Sequence, residues 1–300
     1  MEQIIHTLTQ IFPQMDILQH EPLHNHCSFR IGGPCTALIR PRSTDELRSL
    51  RKKLFDIGVE PLFIGNGSNL LISDAPVERI VIKTDALTDI ERDGETGLTA
   101  LAGVSLAKLA VTAASFGLSG LEFAHGIPGT LGGAVVMNAG AYGGEIKDIV
   151  TETTYTDKAG MLHTVCGAQH DFSYRHSVFS DTDHTVLRCR IALTPGDSAA
   201  IRERMAELAA KRRASQPLDK PSAGSTFKRP ANGYAAAMID AAGLKGFRIG
   251  DAAVSEKHAG FVVNLGNASF ADVLSVMEHV QNEVYKKFSV ELEPEVKIIR

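Results

Sequence analysis

The sequence contains no tryptophan, and aromatic residues make up only 6% of its 300 positions. An aromatic cage for a cationic ligand is therefore not expected. Cysteine is equally sparse: Cys27, Cys35, Cys166 and Cys189 form no CxxC pair, and their spacings match neither a zinc site nor a disulfide framework. All four are read as reduced thiols. His26, Cys27 and Cys35 lie close together in sequence but lack a fourth ligand at a standard spacing, so no metal is expected. No apolar run reaches the roughly eighteen residues of a membrane span. The first thirty residues mix Glu2, His6, Gln10, Asp16 and His20 among the apolar ones, unlike a signal peptide. A cytoplasmic protein without membrane insertion is the expectation. There is also no charge excess: 31 Lys and Arg stand against 35 Asp and Glu, a formal net charge of -4. Nothing in that balance points to nucleic acid or a bilayer, so an anionic ligand has to be held by local groups.

What remains is an ordinary globular composition, 44% hydrophobic and 22% charged, long enough for about two domains. Glycine is the exception. Nine of the 27 glycines fall between Gly117 and Gly144.

The first hundred residues alternate helical and strand patterns. Ser43-Thr44-Asp45-Glu46 reads as a capping box opening a helix with Leu47, Leu50, Leu54 and Ile57 on one face and Gly58 as its stop. Pro61 to Ile64, Arg79 to Lys83 and Leu98 to Gly103 read as strands, and Ser105 to Phe116 as a second helix. From about residue 151 the pattern changes to hairpins. Thr153–Thr156 and Leu162–Val165 flank an Asp157–Gly160 turn, and Val186–Thr194 alternates Leu187, Cys189, Ile191 and Leu193 against Arg188 and Arg190. A boundary is expected near 198, before a helix with Ile201, Met205 and Leu208 on one face. The last third predicts a short helix over Tyr234–Ala242, a strand over Ala259–Asn264, a long helix opened by Ser269, and a closing strand over Ser289–Arg300 carrying Glu291, Glu293 and Glu295.

Two segments invite a ligand. Gly65-Asn66-Gly67-Ser68-Asn69-Leu70 follows a strand, and its successive small residues let backbone amides face one concavity, as a phosphate or pyrophosphate requires. It has neither the Gly-Lys-Ser/Thr of a P-loop nor the spacing of a Rossmann turn, and a tight turn without a ligand remains open. The second segment runs from Gly126 to Gly144. Its glycines allow very close approach of backbone, either to a flat ligand or to a neighbouring strand. Two such segments make a dinucleotide clasp more plausible than either alone.

The strings GNGSNLLISD (65–74), GLEFAHGIPGTLGGAVVMNAGAYGGEI (120–146), YRHSVF (174–179), PSAGSTFKRP (221–230), GDAAVSEKHAGFVVN (250–264) and LEPEVKIIR (292–300) closely resemble the UDP-N-acetylenolpyruvoylglucosamine reductase family. The resemblance spans nearly the whole chain in order. It implies an α+β (α/β mixed) fold: an FAD-binding region of the vanillyl-alcohol-oxidase/PCMH type in two parts, plus a C-terminal α+β substrate domain. The implied divisions are 1–84, joined by the last strand 296–300, then 85–198, and 199–295. It also implies noncovalent FAD, NADPH as reductant, UDP-N-acetylglucosamine enolpyruvate as substrate and UDP-N-acetylmuramate, a peptidoglycan precursor, as product. No nucleic acid and no obligate protein partner are expected.

The resemblance assigns residues as well. Gly65, Asn66, Gly67, Ser68, Asn69 and Leu70 would cradle the FAD pyrophosphate. Gly126, Ile127, Gly129, Thr130, Gly132, Gly133, Ala134 and Asn138 would line the isoalloxazine and ribityl chain, and Arg30–Gly33 would support the flavin domain. In the implied chemistry NADPH reduces the flavin at N5, and the hydride then passes to C3 of the enolpyruvyl ether while Ser225 supplies a proton to C2. Arg175 and Glu295 would act at the substrate carboxylate, where a forked guanidinium suits the geometry. Glu293 is the neighbouring confounder on the predicted strand. Lys228 and Arg229 are candidates for the diphosphate, and Tyr174 for nearby packing. Only fifty positions run from Arg175 to Ser225, with no tyrosine-bearing insertion, so the chain is similar to the shorter branch of the family. Two alternatives stay open: a flavin oxidase of the same fold, and a nucleotide-sugar or flavin-binding module without turnover.

Overall fold

The computed structural model describes all residues from Met1 to Arg300. By internal packing they form two compact units. The first comprises Met1–Gln19, Ala37–Asn66 and Arg79–Lys211; the second comprises His20–Thr36, Gly67–Glu78 and Arg212–Arg300. The C-terminal strand Lys297–Ile299 pairs in parallel with Leu70–Ile72 inside the second unit.

In the first unit the helix Thr44–Asp56 forms where the capping signal placed it. Ser43 Oγ accepts from the Glu46 amide at 3.1 Å, while the Glu46 carboxylate takes the Arg42 amide at 2.7 Å. Leu47, Leu50 and Leu54 are fully buried, whereas Ile57 lies beyond the helix and is exposed. Leu50 and Leu54 join Ile5, Leu8, Ala37, Ile39, Ile80 and Ile82 in one core. The predicted hairpins become a five-stranded antiparallel sheet, in the order Leu162–Cys166, Val150–Thr156, Thr185–Ala192, Gly97–Leu101, Ile90–Asp93. Asp157 shapes the first turn, its Oδ1 accepting from the amides of Ala159 and Met161. Leu187, Cys189 and Ile191 are buried and Arg188 and Arg190 exposed, as period-two alternation requires.

One face of that sheet buries the helix Leu106–Ser115 and a shorter one, Leu131–Val136, around Leu98, Ala100, Ala102, Leu109, Ala113, Leu131 and Val135. The shorter helix has the sequence LGGAVV, which carries little intrinsic helix propensity. Tertiary contacts hold it instead. Its first amides, which have no intrahelical partner, donate to strand-end carbonyls: Leu131 to Val104 and Gly132 to Ala102, both at 2.8 Å. Thr130 caps it, its hydroxyl facing the Gly133 amide at 3.4 Å. Such an approach excludes a side chain at Gly132, where a Cβ would lie 2.9 Å from Ala102 Cβ.

The second unit holds a three-stranded antiparallel sheet, Arg248–Ile249, Ala252–Val254 and Val262–Asn264, with the helices Ala235–Ala241 and Phe270–Phe288. Ser269 caps the long helix in a reciprocal box with Asp272, and Val273, Met277, Val280 and Val284 are buried along it. Phe270 and Phe288, at its two ends, are only half-buried. The predicted strand over Ser289–Arg300 is shortened to Lys297–Ile299. Pro294 cannot donate to a ladder, and residues 289–296 run as irregular chain around one bridge, Phe227 to Pro294.

Adjacent glycines on the short helix should therefore respond oppositely. Gly132→Ala has to displace the Ala102 strand and should destabilise the protein by about 1–3 kcal/mol. At Gly133 the nearest atom to an added Cβ is Thr130 Oγ1 at 3.6 Å. Gly133→Ala should leave stability unchanged or raise it by up to about 1 kcal/mol through helix propensity. Urea unfolding midpoints of the two variants decide this; equal shifts would contradict the packing account.

Candidate functional site

In the first unit the two glycine-rich segments meet. A Cβ on Gly65 would overlap the Thr130 hydroxyl, so the turn that follows the strand Leu62–Ile64 touches the cap of the helix Leu131–Val136. Thr130 is buried. The amides of Gly126, Gly129 and Thr130 have no acceptor within the protein, whereas those of Leu131, Gly132 and Gly133 are spent on docking and capping. The side of the helix bearing Gly133 is bare. In the turn before the helix, His125 has a buried Nδ1 without a hydrogen-bond partner. Ile127 and Ala134 pack with the core, Ala134 fully and Ile127 partly.

The other end of the same helix carries the arginine turn. The carbonyl of Val136 accepts two hydroxyls, Ser177 Oγ at 2.7 Å and Ser180 Oγ at 2.9 Å. Asn138 donates through Nδ2 to the Ser173 carbonyl at 3.0 Å and to Glu145 Oε2 at 3.1 Å, and its Oδ1 accepts the Lys147 amide at 3.0 Å. Ser173 and His176 close a tight turn through reciprocal backbone bonds, with Tyr174 and Arg175 at its tip. Arg175 has φ +56°, the left-handed backbone that the third position of a type II turn demands and glycine normally supplies. Its guanidinium carbon lies 5.1 Å from the Tyr174 ring centroid. Glu145 is held below the usual carboxylate range, chiefly by its hydrogen bond with Lys147; burial, the next largest effect, opposes this, and Asn138 and the Arg175 charge add smaller downward pulls.

The second unit gathers Gly67 to Leu70, Ser225, Lys228, Arg229 and Glu295. Thr226 is the organising residue. Its amide donates to the Gly260 carbonyl at 2.8 Å, its hydroxyl accepts the Val262 amide at 2.9 Å, and its carbonyl accepts the Glu295 amide at 2.8 Å. Ser225 and Glu295, far apart in sequence, are thereby fixed on either side of one buried threonine. Both are half-buried. Asn69 donates through Nδ2 to the Glu295 carbonyl at 3.1 Å, and its own carbonyl accepts the Lys297 amide at 2.9 Å. The glycine turn is thus stitched to the glutamate segment. Gly67, at φ +60°, sits so tightly on the His26 carbonyl that no side chain fits, and its carbonyl accepts the Ser28 amide at 3.2 Å. Glu293 points elsewhere: it is exposed and pairs with Lys228 at 3.1 Å. Arg229 stacks on Tyr234, 4.6 Å from the ring centroid.

Comparison with known proteins gives this arrangement its context. Residues 35–188 match the FAD binding domain model, and residues 216–299 match the C-terminal domain model of UDP-N-acetylenolpyruvoylglucosamine reductase. The curated UDP-N-acetylenolpyruvoylglucosamine reductase of Caldanaerobacter subterraneus subsp. tengcongensis is 45% identical over 99% of this chain and 98% of its own. The chain belongs to the UDP-N-acetylenolpyruvoylglucosamine reductase family. A crystal structure of UDP-N-acetylenolpyruvylglucosamine reductase from Thermus caldophilus superposes with a TM-score of 0.82 at 34% identity, covering 96% of this chain and 99% of that one. Berberine bridge enzyme, at 15% identity and a TM-score of 0.51 over 65% of this chain and 44% of that one, shares the fold alone. The expected α+β architecture, a PCMH-type flavin region with a C-terminal α+β part, is the one observed.

The residues present fit FAD. Uncommitted amides at Gly126, Gly129 and Thr130, the bare Gly133 face and the unpartnered His125 nitrogen offer donors and flat space in one stretch. Asn138 differs, because its amide is consumed inside the protein. Sequence reasoning missed Glu145, Ser177, Ser180 and Tyr234. Ser177 lies inside the quoted YRHSVF string, but nothing local shows that its hydroxyl reaches Val136.

The left-handed Arg175 yields a stability test independent of catalysis. Arg175→Gly should be more stable than Arg175→Ala by about 1 kcal/mol, since only glycine removes the steric penalty. Thermal unfolding of the two variants checks it, and an alanine variant at least as stable as the glycine one would contradict the strained turn.

Proposed function

We propose that the protein reduces the enolpyruvyl double bond of UDP-N-acetylglucosamine enolpyruvate with NADPH, forming UDP-N-acetylmuramate in the cytoplasm. Residues 1–84 and 85–198 would form the flavin region, with 296–300 returning to the first of these, and 199–295 the substrate part. What carries the reading is the clamp at Thr226, which bonds the Glu295 amide one residue after Ser225, in a chain 45% identical to a named reductase. Bound FAD would supply the two-electron chemistry linking NADPH oxidation to reduction of the substrate, held by Gly65–Leu70 and by Gly126–Ala134.

The protein's own groups handle charge and protons. Reduction at C3 leaves negative charge on C2 and the adjacent carboxylate, so a cation at that carboxylate stabilises the transition state more than the ground state. Arg175 is our candidate, its fork matching two carboxylate oxygens. Ser225 holds the proton destined for C2; its hydroxyl is a useful acid only toward a strong base in a site shielded from water. Glu295 assists at the substrate carboxylate. Lys228 and Arg229 would meet the diphosphate, Lys228 by exchanging Glu293 for phosphate oxygens, and Tyr174 would pack beside Arg175. Nothing specific favours the oxidase reading, since berberine bridge enzyme shares only the fold.

Removing one positioned acid typically costs about 10²–10⁴ in rate. Ser225→Ala should keep bleaching of the flavin by NADPH yet lose recolouring by the enolpyruvyl substrate within that range, followed anaerobically by stopped-flow absorbance. Near-normal recolouring would overturn the role of Ser225.

A further inference from the structure

We infer that Asn138 is a positioning residue for Arg175: its side-chain amide fixes the arginine turn and the Glu145 carboxylate in one frame, so that the guanidinium is presented to the substrate carboxylate in a single orientation. The inference rests on the proposed reaction. Asn138 is 1% exposed, and every polar atom of its amide is engaged by the protein. One Nδ2 hydrogen goes to the Ser173 carbonyl, which also receives the His176 amide at 3.3 Å, so both lone pairs of that oxygen are used at the base of the turn. The other goes to Glu145, and Oδ1 takes the backbone of Lys147, whose ammonium sits 2.7 Å from the same carboxylate.

The consequence is mechanical and electrostatic. Arg175 occupies a left-handed backbone that an arginine leaves readily, and such a conformation persists only when its surroundings over-determine it. Three bonds do so from a single short stretch: two hydroxyls on the Val136 carbonyl and the Asn138 amide on the Ser173 carbonyl. Glu145, anchored by Asn138 and Lys147, places a fixed negative charge near Arg175. A buried amide that bridges two segments through both of its ends is used for geometry, since no donor is left over for a cofactor.

The test is a double-mutant cycle with Asn138→Gly and Arg175→Ala. Glycine accepts the φ of +43° at position 138, so the backbone need not change. The anaerobic, enolpyruvyl-dependent recolouring of NADPH-reduced enzyme is measured for all four proteins. Asn138→Gly alone should slow that step about ten- to a hundredfold, the range expected when a reacting group is misplaced, and should slow it much more than the NADPH-dependent step. In the Arg175→Ala background it should add less than about twofold. Hydrogen exchange at the His176 amide of the flavin-loaded protein should quicken in Asn138→Gly. Additive losses in the cycle, an unchanged His176 exchange rate, or loss of bound flavin as the main defect would overturn the inference. If Asn138→Gly fails to fold, Glu145→Gln enters the same cycle with the same non-additivity expected. Wild-type enzyme without enolpyruvyl-dependent recolouring would instead remove the proposed reaction, an outcome separate from additivity in an active enzyme.

Discussion

The close approach of Gly65 to Thr130 is the constraint on which much of the first unit depends. No side chain can stand between the two segments, so the turn after Leu62–Ile64 and the cap of Leu131–Val136 share one wall. Thr130 then starts a helix whose sequence would not sustain one, and the helix survives because its first amides bond to Ala102 and Val104. Its last carbonyl, at Val136, receives the serines of the arginine turn. A six-residue helix therefore ties the glycine-rich backbone at one end to the turn that carries Arg175 at the other. Side chains too small to matter individually set this geometry.

The second unit uses a single threonine in the same way. Thr226 spends its amide and hydroxyl on the Gly260–Val262 segment and its carbonyl on Glu295, and Ser225 and Glu295 inherit their positions from it. Both units place reactive side chains next to a buried, fully bonded polar residue. That arrangement confines the rotamer and backbone freedom that a catalytic group would otherwise have to lose on binding. It also explains how a chain of net charge -4 can serve two polyanionic nucleotides. In the proposed reading, backbone amides face the nucleotides, and Arg175, Lys228 and Arg229 would add charge where phosphate or carboxylate is expected.

Much of this was legible in the sequence where the signal is local. Ser43 and Ser269 announced their helices, the alternation around Cys189 announced a half-exposed strand, and the glycine clusters announced close approach of backbone, as at Gly65, Gly67 and Gly132. The family strings implied the family, which the comparisons show, where spacing alone would not have suggested it. What escaped the sequence depends on distant partners. The helix Leu131–Val136 owes its existence to carbonyls just past the strand Gly97–Leu101, and the closing strand was overextended because alternation continues through Pro294, which has no N–H to give a ladder. Asn138 lay inside the flavin motif, and only the fold shows that its amide turns toward Ser173 and Glu145 instead. Nothing local marks Arg175 as left-handed, since the residue type argues against it.

The central claim is that one bound flavin links a nicotinamide donor to an enolpyruvyl acceptor. Its most direct test is the visible spectrum of the purified, flavin-loaded protein under strict anaerobiosis. One equivalent of NADPH should bleach the flavin, and one equivalent of UDP-N-acetylglucosamine enolpyruvate should then restore the full absorbance as UDP-N-acetylmuramate forms. Recolouring that occurs only when oxygen is admitted, or a protein that takes up no flavin at all, would contradict the account.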